Sequence, residues 1–362
     1  SIIFIIKTCR ERKILSAAKK GGNKMKRVLV LGGTGAMGVY LVPKLAGMGY
    51  KVDVAATDKR QDEENIHYMQ CDAKDPKVLS ALLDGGYDCI ADFLIWNGEE
   101  FKKVYENFLK ATQQYVYLSS YRIYAGGDAP ITEQSPRLLD VSQDAAFLSH
   151  KNYEYSLYKA MGEDLLRSSP YINYTILRPA ITYSHYRFQL VTLEANVVVD
   201  RAKKGLPVYL PEEAAEVDGT MSWAGDVAEM IARLIFNEKA LGQTYTVSTA
   251  EYRKWKEIAG YYEQLIGLKA VWLDKESYLN MINPDAAMQW GARYQLDYDR
   301  LFNRRVDNSK VLRDTGMRQS DLKKLYDGLK YELSRLPGNY VWHGGEKIGA
   351  AMDAFAQKKS AQ

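Results

Sequence analysis

The chain of 362 residues is 46% hydrophobic and 26% charged, as soluble globular proteins are, and at about 150 residues per domain it predicts two units or one large one. Its net charge of +4 is unevenly distributed, because residues 1–24 hold seven Lys and Arg against one Glu, which leaves 42 basic and 44 acidic side chains in the remainder. The body of the chain is therefore not basic enough to indicate nucleic-acid binding, and no apolar run approaches the roughly 18 residues of a membrane-spanning helix.

Residues 1–24 differ from the remainder and are predicted to be a leader. The apolar stub Ile2 to Ile6 precedes the basic residues, which reverses the order of a secretory signal peptide. Lys20-Gly21-Gly22 can be encoded by a purine-rich ribosome-binding sequence, and Met25 follows at a suitable distance. We expect either that translation starts at Met25 and the leader is not native protein, or that the leader is a short disordered tail.

From Met25 the sequence alternates between strand and helix patterns. Short β-rich apolar runs predict buried parallel strands, with helices between them. The predicted strands are Arg27–Leu31, Val52–Ala56, Cys89–Ile95, Tyr115–Ser119 and Tyr174–Leu177, and the first predicted helix is Val39–Met48. This alternation predicts an α/β fold with a Rossmann-type doubly wound parallel sheet and helices on both of its faces.

After Pro179 the alternation stops. Phe188–Lys204 predicts a long helix, Ser222–Phe236 a second helix and Gln243–Ser248 one more strand, and beyond Ala250 the chain is mainly helical. The predicted domains are a Rossmann domain at 25–182, to which 215–250 return, a smaller, mainly helical substrate-binding region at 183–214 and 251–345, and a C-terminal tail at 346–362.

The segment that follows the first predicted strand is rich in glycine and opens a helix. Glycine is needed where the backbone turns tightly, approaches a pyrophosphate or packs helix against strand, and the helix N-terminus presents free N–H groups to the phosphates. The predicted cofactor-binding residues of this segment are Gly32, Gly33, Thr34, Gly35, Ala36, Met37 and Gly38. They predict a dinucleotide site; the alternative is a glycine-rich turn without a ligand.

Tyr155 and Lys159 are candidates for acid–base chemistry. On a helix their spacing places them on one face, and a lysine ammonium beside a phenol favours the phenolate and lowers its pKa from about 10. The chain contains 27 tyrosines and 49 Lys and Arg, so the same spacing also arises by chance. Position in the chain separates the two interpretations, because a predicted strand ending in Ser119 and Ser120 precedes this pair.

Taken in order, these motifs resemble the extended short-chain dehydrogenase/reductase superfamily, and within it the NAD-dependent epimerase/dehydratase family. The resemblance runs from Met25 to about residue 320. The motifs that carry it are Gly32-x-x-Gly35-x-x-Gly38, Leu118-Ser119-Ser120-x-x-x-Tyr124, Tyr155-x-x-x-Lys159, Leu177-Arg178-Pro179, Asp226-Val227-Ala228 and Asp307-Asn308-Ser309-Lys310.

The resemblance implies a role for each matching residue. Tyr155 would be the general acid/base, and Lys159 would lower its pKa and hydrogen-bond the nicotinamide ribose. Ser120 would orient the reacting oxygen, with Ser119 nearer the cofactor. The segment that begins at Pro179 would lie beside the nicotinamide.

Two aspartates are candidates for the adenosine end of the cofactor. Asp72 matches a position that usually contacts adenine, although it is also a plausible solvated turn residue. Asp58 stands about 20 residues beyond the last glycine, where an acid binds the ribose 2′-hydroxyl of NAD. The family's usual acid position is instead Ala56, and Lys59 and Arg60 could meet a 2′-phosphate. The predicted cofactor is NAD, with NADP left open.

The predicted function is that of an epimerase acting on a nucleotide-sugar. Dehydratases of the group carry Asp-Glu directly after the catalytic Ser or Thr, and here Tyr121 and Arg122 stand in that place, which disfavours dehydration. The alternatives are an NAD(P)H-dependent carbonyl reductase and a non-catalytic dinucleotide-binding regulator or RNA-associated protein. The resemblance makes a homodimer possible.

Other polar residues give weaker signals. Asp92, at the end of a nearly buried strand, is either a strand-end residue or a contact of substrate or cofactor. Five arginines of the substrate-binding region could hold a diphosphate, although each is more often solvated or structural: Arg187, Arg293, Arg300, Arg304 and Arg305. The four histidines stand alone, so no metal is expected, and three cysteines make no disulfide framework, which favours the cytoplasm.

Overall fold

The computed structural model describes residues 25–127, 129–285, 289–337 and 340–360. The predicted leader lies outside these ranges. The strands are β1 (Arg27–Leu31), β2 (Lys51–Ala56), β3 (Ile66–Gln70), β4 (Cys89–Asp92), β5 (Gln114–Leu118), β6 (Tyr174–Leu177), β7 (Ile181–Tyr183), β8 (Gln189–Leu190), β9 (Leu193–Glu194), β10 (Pro207–Pro211), β11 (Asp218–Gly219), β12 (Met221–Trp223), β13 (Gln243–Tyr245), β14 (Arg253–Lys254) and β15 (Lys269–Leu273).

The helices lie between and after these strands. They are α1 (Gly38–Gly47), α2 (Pro76–Leu83), α3 (Gly98–Ala111), α4 (Leu138–Val141), α5 (Ala145–Ser149), α6 (Tyr155–Ser168), α7 (Ala195–Lys203), α8 (Ala224–Leu234), α9 (Trp255–Ile266), α10 (Lys275–Ile282), α11 (Trp290–Gln295), α12 (Ser309–Thr315), α13 (Leu325–Ser334) and α14 (Glu346–Ser360). No helix in the described ranges is both long enough and apolar enough to cross a membrane.

A seven-stranded parallel sheet forms the centre of the described fold. Its strand order is β13-β6-β5-β4-β1-β2-β3, and every neighbouring pair is parallel. The order reverses beside β1, as in doubly wound sheets that bind a nucleotide at this reversal. The prediction of a Rossmann-type α/β fold is confirmed.

Helices cover both faces of this sheet because alternate strand residues point to opposite sides. In β1, Val28 and Val30 pack in a core with α1 and α8, whereas Leu29 and Leu31 pack in a core with α2 and α3. Apolar residues therefore follow one another in β1 instead of alternating with polar ones, which is the pattern that the sequence shows.

Residues 215–250 contribute to the same sheet. β13 pairs with β6, and α8 packs against α1. The third and largest core lies beyond the sheet and includes Trp255 and Tyr262 of α9 and Leu329 of α13. Residues 346–360, treated above as a tail, form α14, whose Met352 is fully buried in that core. The domain boundaries themselves stay a prediction.

Several predicted elements were too long: the predicted strand Gln243–Ser248 ends at Tyr245, and the predicted helix Ser222–Phe236 spans Ala224–Leu234. β4 ends at Asp92 rather than Ile95, because the Asp92 carboxylate accepts hydrogen bonds from the backbone N–H of Leu94 and from Trp96 and so turns the chain out of the sheet. The predicted helix Phe188–Lys204 begins only at Ala195. The preceding residues form the antiparallel hairpin β8–β9, whose turn includes Val191 at φ 51°.

A buried ion pair joins α6 to the end of β6. Arg178 donates from Nε and Nη2 to the two carboxylate oxygens of Glu163, at 2.8 and 2.5 Å, and both side chains are nearly inaccessible to solvent. Burial alone would raise the pKa of Glu163, but the hydrogen bonds and charge of Arg178 outweigh it and the pKa is lowered. The pair fixes α6 to the sheet.

We expect E163Q to lower the free energy of unfolding by about 3–5 kcal/mol, because it leaves the Arg178 charge buried without its partner. Urea unfolding followed by circular dichroism measures the change. E106Q is the matched control, since Glu106 pairs with Lys110 on the exposed surface of α3, and its unfolding midpoint should stay near that of the wild type. Equal effects of the two substitutions would contradict the structural role of the pair.

Candidate functional site

The predicted glycine segment connects β1 to α1 in the shape that the sequence requires. Gly32 has φ 71°, which favours glycine, as the chain leaves β1. A Cβ on Gly38 would lie 2.1 Å from the carbonyl oxygen of Gly33, so the two backbone segments approach too closely for a side chain on Gly38. The turn and the start of α1 thus depend on glycine for internal packing.

Gly35 is different, because a side chain there would clash with no other part of the protein. A Cβ there would meet no atom nearer than the Gly32 carbonyl oxygen at 3.7 Å, and Gly35 is exposed. Thr34, Ala36 and Met37 flank it, and α1 begins directly after them with its N-terminal N–H groups. The residues present fit a pyrophosphate, which needs close backbone approach and free N–H donors.

The loops after β2 and β3 lie at the same sheet edge, since β1, β2 and β3 are parallel neighbours. Asp58 is exposed, and its carboxylate lies 4.0 Å from the guanidinium of Arg60. Asp72 is exposed and accepts a hydrogen bond from the Lys74 backbone N–H at 2.9 Å. Their contacts with a cofactor stay predictions.

Asp92 is buried at the end of β4, between the glycine segment and the catalytic candidates. Its carboxylate accepts hydrogen bonds from Tyr115, Trp96 and the Leu94 backbone, and burial raises its pKa. These bonds identify it as a strand-end residue with a structural task. The neighbouring Ile95 is 60% exposed, an apolar surface at the edge where a cofactor would lie.

Ser119 and Ser120 follow β5 as extended chain, and both are buried. The Ser120 hydroxyl accepts a hydrogen bond from the Arg122 backbone N–H at 3.2 Å and so begins the short 3₁₀ helix Tyr121–Ile123. That helix packs against α6, and the Tyr121 N–H donates to the Pro179 carbonyl at 3.1 Å. The segments around Ser120, Tyr155 and Pro179 are therefore adjacent.

Tyr155 is the first residue of α6. Glu154 caps the helix by accepting the N–H groups of Ser156 and Leu157, and Tyr155 itself is half-buried. One turn later, the Lys159 ammonium lies 5.8 Å from the centre of the Tyr155 ring. The cap thus sets the register that brings the phenol and the amine together.

Lys159 is buried and its only hydrogen-bond partner in the described ranges is neutral. Its ammonium donates to the Leu118 carbonyl at 2.7 Å. Burial lowers the pKa of Lys159 to about 8, and the charges of Asp92 and Glu163 act in the opposite direction. A cation close to the phenol that can lose its charge near neutral pH is suited to acid–base chemistry.

A group of charged side chains beside Tyr155 was not predicted as a unit. It comprises Arg122, Glu154, Asp299, Arg300 and Arg304. The sequence singled out Arg300 and Arg304, but as holders of a diphosphate; both are buried and donate to protein oxygens instead. Glu154 could have been found as an acidic N-cap before a predicted helix, whereas nothing in the sequence marks Asp299.

The other predicted arginines lie in separate ion pairs. Arg187 pairs with Glu194 at 3.3 Å, Arg293 with Glu276 at 2.7 Å and Arg305 with Asp218 at 2.7 Å. Across the described ranges, no three His, Cys, Asp or Glu side chains are gathered as metal ligands.

The sequence matches the model of the family described as NAD dependent epimerase/dehydratase over residues 28–248. No functionally curated protein matches the chain.

Many solved structures share the fold at low sequence identity. UDP-glucose 4-epimerase of Thermus thermophilus, solved with NAD, is 20% identical, with a TM-score of 0.64 over 87% of this chain and 100% of that one. An epimerase of Methanothermobacter thermautotrophicus is 17% identical, with a TM-score of 0.64 over 85% and 91%. UDP-glucuronic acid 4-epimerase of Bacillus cereus, solved with UDP-glucuronic acid and NAD, is 14% identical, with a TM-score of 0.61 over 85% and 98%.

We expect Gly35→Ala to weaken NAD binding at least tenfold without lowering the melting temperature, because the added methyl fills the space left for the pyrophosphate but makes only an ordinary van der Waals contact, at 3.7 Å, with the Gly32 carbonyl oxygen. Titration of NADH fluorescence measures the affinity. Gly47→Ala, in open space at the end of α1, is the matched control and should bind as the wild type does. Unchanged affinity in Gly35→Ala would mean that the phosphates lie elsewhere.

Proposed function

Since the chain belongs to the NAD-dependent epimerase/dehydratase family, we propose that it is an epimerase that acts on a nucleotide-linked sugar with NAD as its cofactor. The observation that carries the proposal is the pairing of Tyr155 with the buried cation of Lys159 on α6, beside Ser120. The glycine segment opens at the same sheet edge. The family is NAD-dependent, and structures that share the fold were solved with NAD, so the predicted cofactor is confirmed at the level of the family.

Tyr155 moves the proton in this mechanism. It accepts the proton of a sugar hydroxyl while that carbon is oxidised and returns it when the carbonyl is reduced. Ser120 holds the reacting oxygen, and Lys159 stabilises the phenolate through its positive charge. Gly32 to Gly38 would hold NAD, whose nicotinamide would supply reversible hydride transfer at that carbon.

Epimerisation is favoured over dehydration by the residues that follow Ser120. Water elimination needs an acid and a base near the sugar, and Tyr121 and Arg122 supply no carboxylate there. Two carboxylates beside Arg122, those of Glu154 and Asp299, form ion pairs with arginines of the protein. The fold neighbours that bear an epimerase name agree with this choice.

A carbonyl reductase is the second candidate, and one observation favours it. β2 ends at the buried Ala56, without a carboxylate for the ribose 2′-hydroxyl, and the exposed Lys59 and Arg60 follow. A reductase consumes NADPH or NADH in each turnover, whereas an epimerase leaves its cofactor unchanged.

The proposal further includes a cytoplasmic location, from the cysteine content, and a possible homodimer, from the resemblance.

The test begins with the protein as purified. Mass spectrometry and absorbance identify retained cofactor, and NMR follows UDP-glucose or UDP-glucuronic acid with substoichiometric NAD. Formation of the 4-epimer without accumulation of NADH supports the proposal. Oxidation of NADPH with a carbonyl substrate and no epimer would favour the reductase, and failure to bind either cofactor would favour the non-catalytic alternative.

We expect Tyr155→Phe to lower kcat by about 10²–10⁴-fold while NAD binding is retained, because the substitution removes only the proton-transfer hydroxyl. Epimer formation under saturating substrate measures it. Tyr153→Phe is the matched control, two residues earlier and 67% exposed, and should keep full activity. Full activity of Tyr155→Phe would show that another group moves the proton.

The rate should fall as pH rises through about 8. Below this pH Lys159 is charged and stabilises the Tyr155 phenolate; above it the amine is neutral and that stabilisation is lost. A pH profile of kcat/KM measures the limb. In Lys159→Met the overall rate should be lower and this limb absent, so a limb that persists in the variant must come from a different group.

A further inference from the structure

Five charged side chains form a nearly buried group beside Tyr155. Their side chains range from 1% to 16% exposed, and the group, called here the arginine cluster, consists of Arg122, Glu154, Asp299, Arg300 and Arg304. Three of the five are cations and two are anions. Arg187 and Glu194 pair with each other nearby and do not change this balance.

Asp299 is shared by all three arginines. It lies in a π-helical turn, Leu296–Arg300, in which Asp299 and Arg300 are consecutive and both are buried. Its carboxylate contacts Arg300, lies 3.0 Å from Arg304 Nε and 3.4 Å from Arg122 Nε. One carboxylate therefore lies within ion-pair distance of three guanidinium groups.

Arg300 and Arg304 are otherwise committed to the protein. Arg300 donates to the Val191 carbonyl at 2.7 Å and to Gln189 at 3.0 Å. Arg304 donates to the Tyr124 carbonyl at 2.9 Å and to the Tyr298 carbonyl at 3.1 Å. Their task is to hold the C-terminal region against the segment that follows Ser120.

Arg122 is the member of the cluster with N–H donors that make no hydrogen bond. Its Nη2 donates to Glu154 at 3.3 Å, but its buried Nε makes no hydrogen bond, and Nη1 donates to no residue in the described ranges. Glu154 in turn uses its other oxygen to cap α6 at Ser156 and Leu157. Arg122 thus shares both carboxylates of the cluster with other groups and still has donors that make no hydrogen bond, in a cluster that carries one surplus positive charge.

The pKa of Arg304, another member of the cluster, agrees with this surplus of positive charge. Burial lowers the pKa of Arg304 to about 10, and the charge of Arg122 acts in the same direction. The position of the surplus is specific, because the Arg122 guanidinium carbon lies 5.1 Å from the centre of the Tyr155 ring. The surplus positive charge thus lies beside Tyr155, where the proposed mechanism places the reacting carbon of a substrate.

We propose that Arg122 binds a carboxylate of the substrate, and that the substrate class is a nucleotide-linked uronic acid. This inference rests on the proposed epimerase function. In a 4-epimerisation the diphosphate is attached across the ring from the reacting carbon, whereas the carboxylate of a hexuronic acid is on the carbon next to it. A guanidinium beside the phenol is therefore placed for that carboxylate, which it can hold by charge-assisted hydrogen bonds.

The test uses the full chain loaded with NAD and compares UDP-glucuronic acid with UDP-glucose, which differ at this group alone. Calorimetry gives the affinity of each, and NMR gives kcat/KM for 4-epimer formation. The wild type should prefer the uronic acid, and Arg122→Gln should lower the ratio of the two kcat/KM values about 10- to 100-fold. Arg122→Lys, which keeps the charge, should retain part of the preference.

Arg318→Gln is the matched control, because Arg318 forms an exposed pair with Asp321 outside the cluster and should leave the ratio unchanged. Melting temperature and NAD content establish that each variant is folded. A wild type without preference for the uronic acid overturns the inference, as does an equal loss on both sugars in Arg122→Gln.

The two proposals fail in different ways. If the uronic acid binds through Arg122 but no epimer forms, the carboxylate site stands and the epimerase function falls. If UDP-glucose alone is epimerised, the epimerase function stands and the carboxylate site falls. Binding of neither sugar overturns both.

Discussion

The parallel arrangement of the central sheet is the constraint on which the site depends. In a parallel sheet all strands end at one edge, so each segment that leaves a strand there passes its neighbours. The glycine segment after β1, the two serines after β5 and Pro179 after β6 are far apart in the chain and become adjacent for this reason. The hydrogen bond from Tyr121 to the Pro179 carbonyl is direct evidence of that proximity. Helix α6 then needs only to pack on this edge to add Tyr155 and Lys159.

Burial has opposite consequences for the two charged residues on α6. Glu163 meets the guanidinium of Arg178 and keeps its charge, because two hydrogen bonds replace the lost water. Lys159, one turn away, donates a hydrogen bond to the carbonyl of Leu118 and has no carboxylate partner within the part of the chain that the structure describes, and a neutral acceptor compensates a cation poorly. One helix therefore carries a charge that stabilises the fold and a charge that is easily given up.

Local patterns made the sheet and the glycine segment predictable from the sequence. β1 reads as a short apolar run because both of its faces are buried, and the glycines after it mark a turn and a close approach. Tyr155 and Lys159 could be recognised by their spacing together with the serines upstream. Their chemical roles, like those of Asp58 and Asp72, involve a ligand and stay predictions.

The arginine cluster could not be predicted, because its members come from segments about 180 residues apart. Arg122 meets Asp299 only after the C-terminal region folds back on the Rossmann unit, and no local pattern encodes that distance. The hairpin at β8–β9 escaped for a related reason. Its apolar residues also fit a helical period, and the pairing of Gln189 with Glu194 decides between the two.

The position of β13 has a consequence for how the protein is made. β6 ends at Leu177, but its outer neighbour β13 begins only at Gln243, after the hairpin, α7 and α8. While the more than sixty residues between β6 and β13 are being synthesised, β6 is therefore an open edge of the sheet. An apolar strand whose backbone groups are unpaired is a template for pairing with other chains. The last strand of the sheet thus protects the nascent Rossmann unit from aggregation as well as completing it.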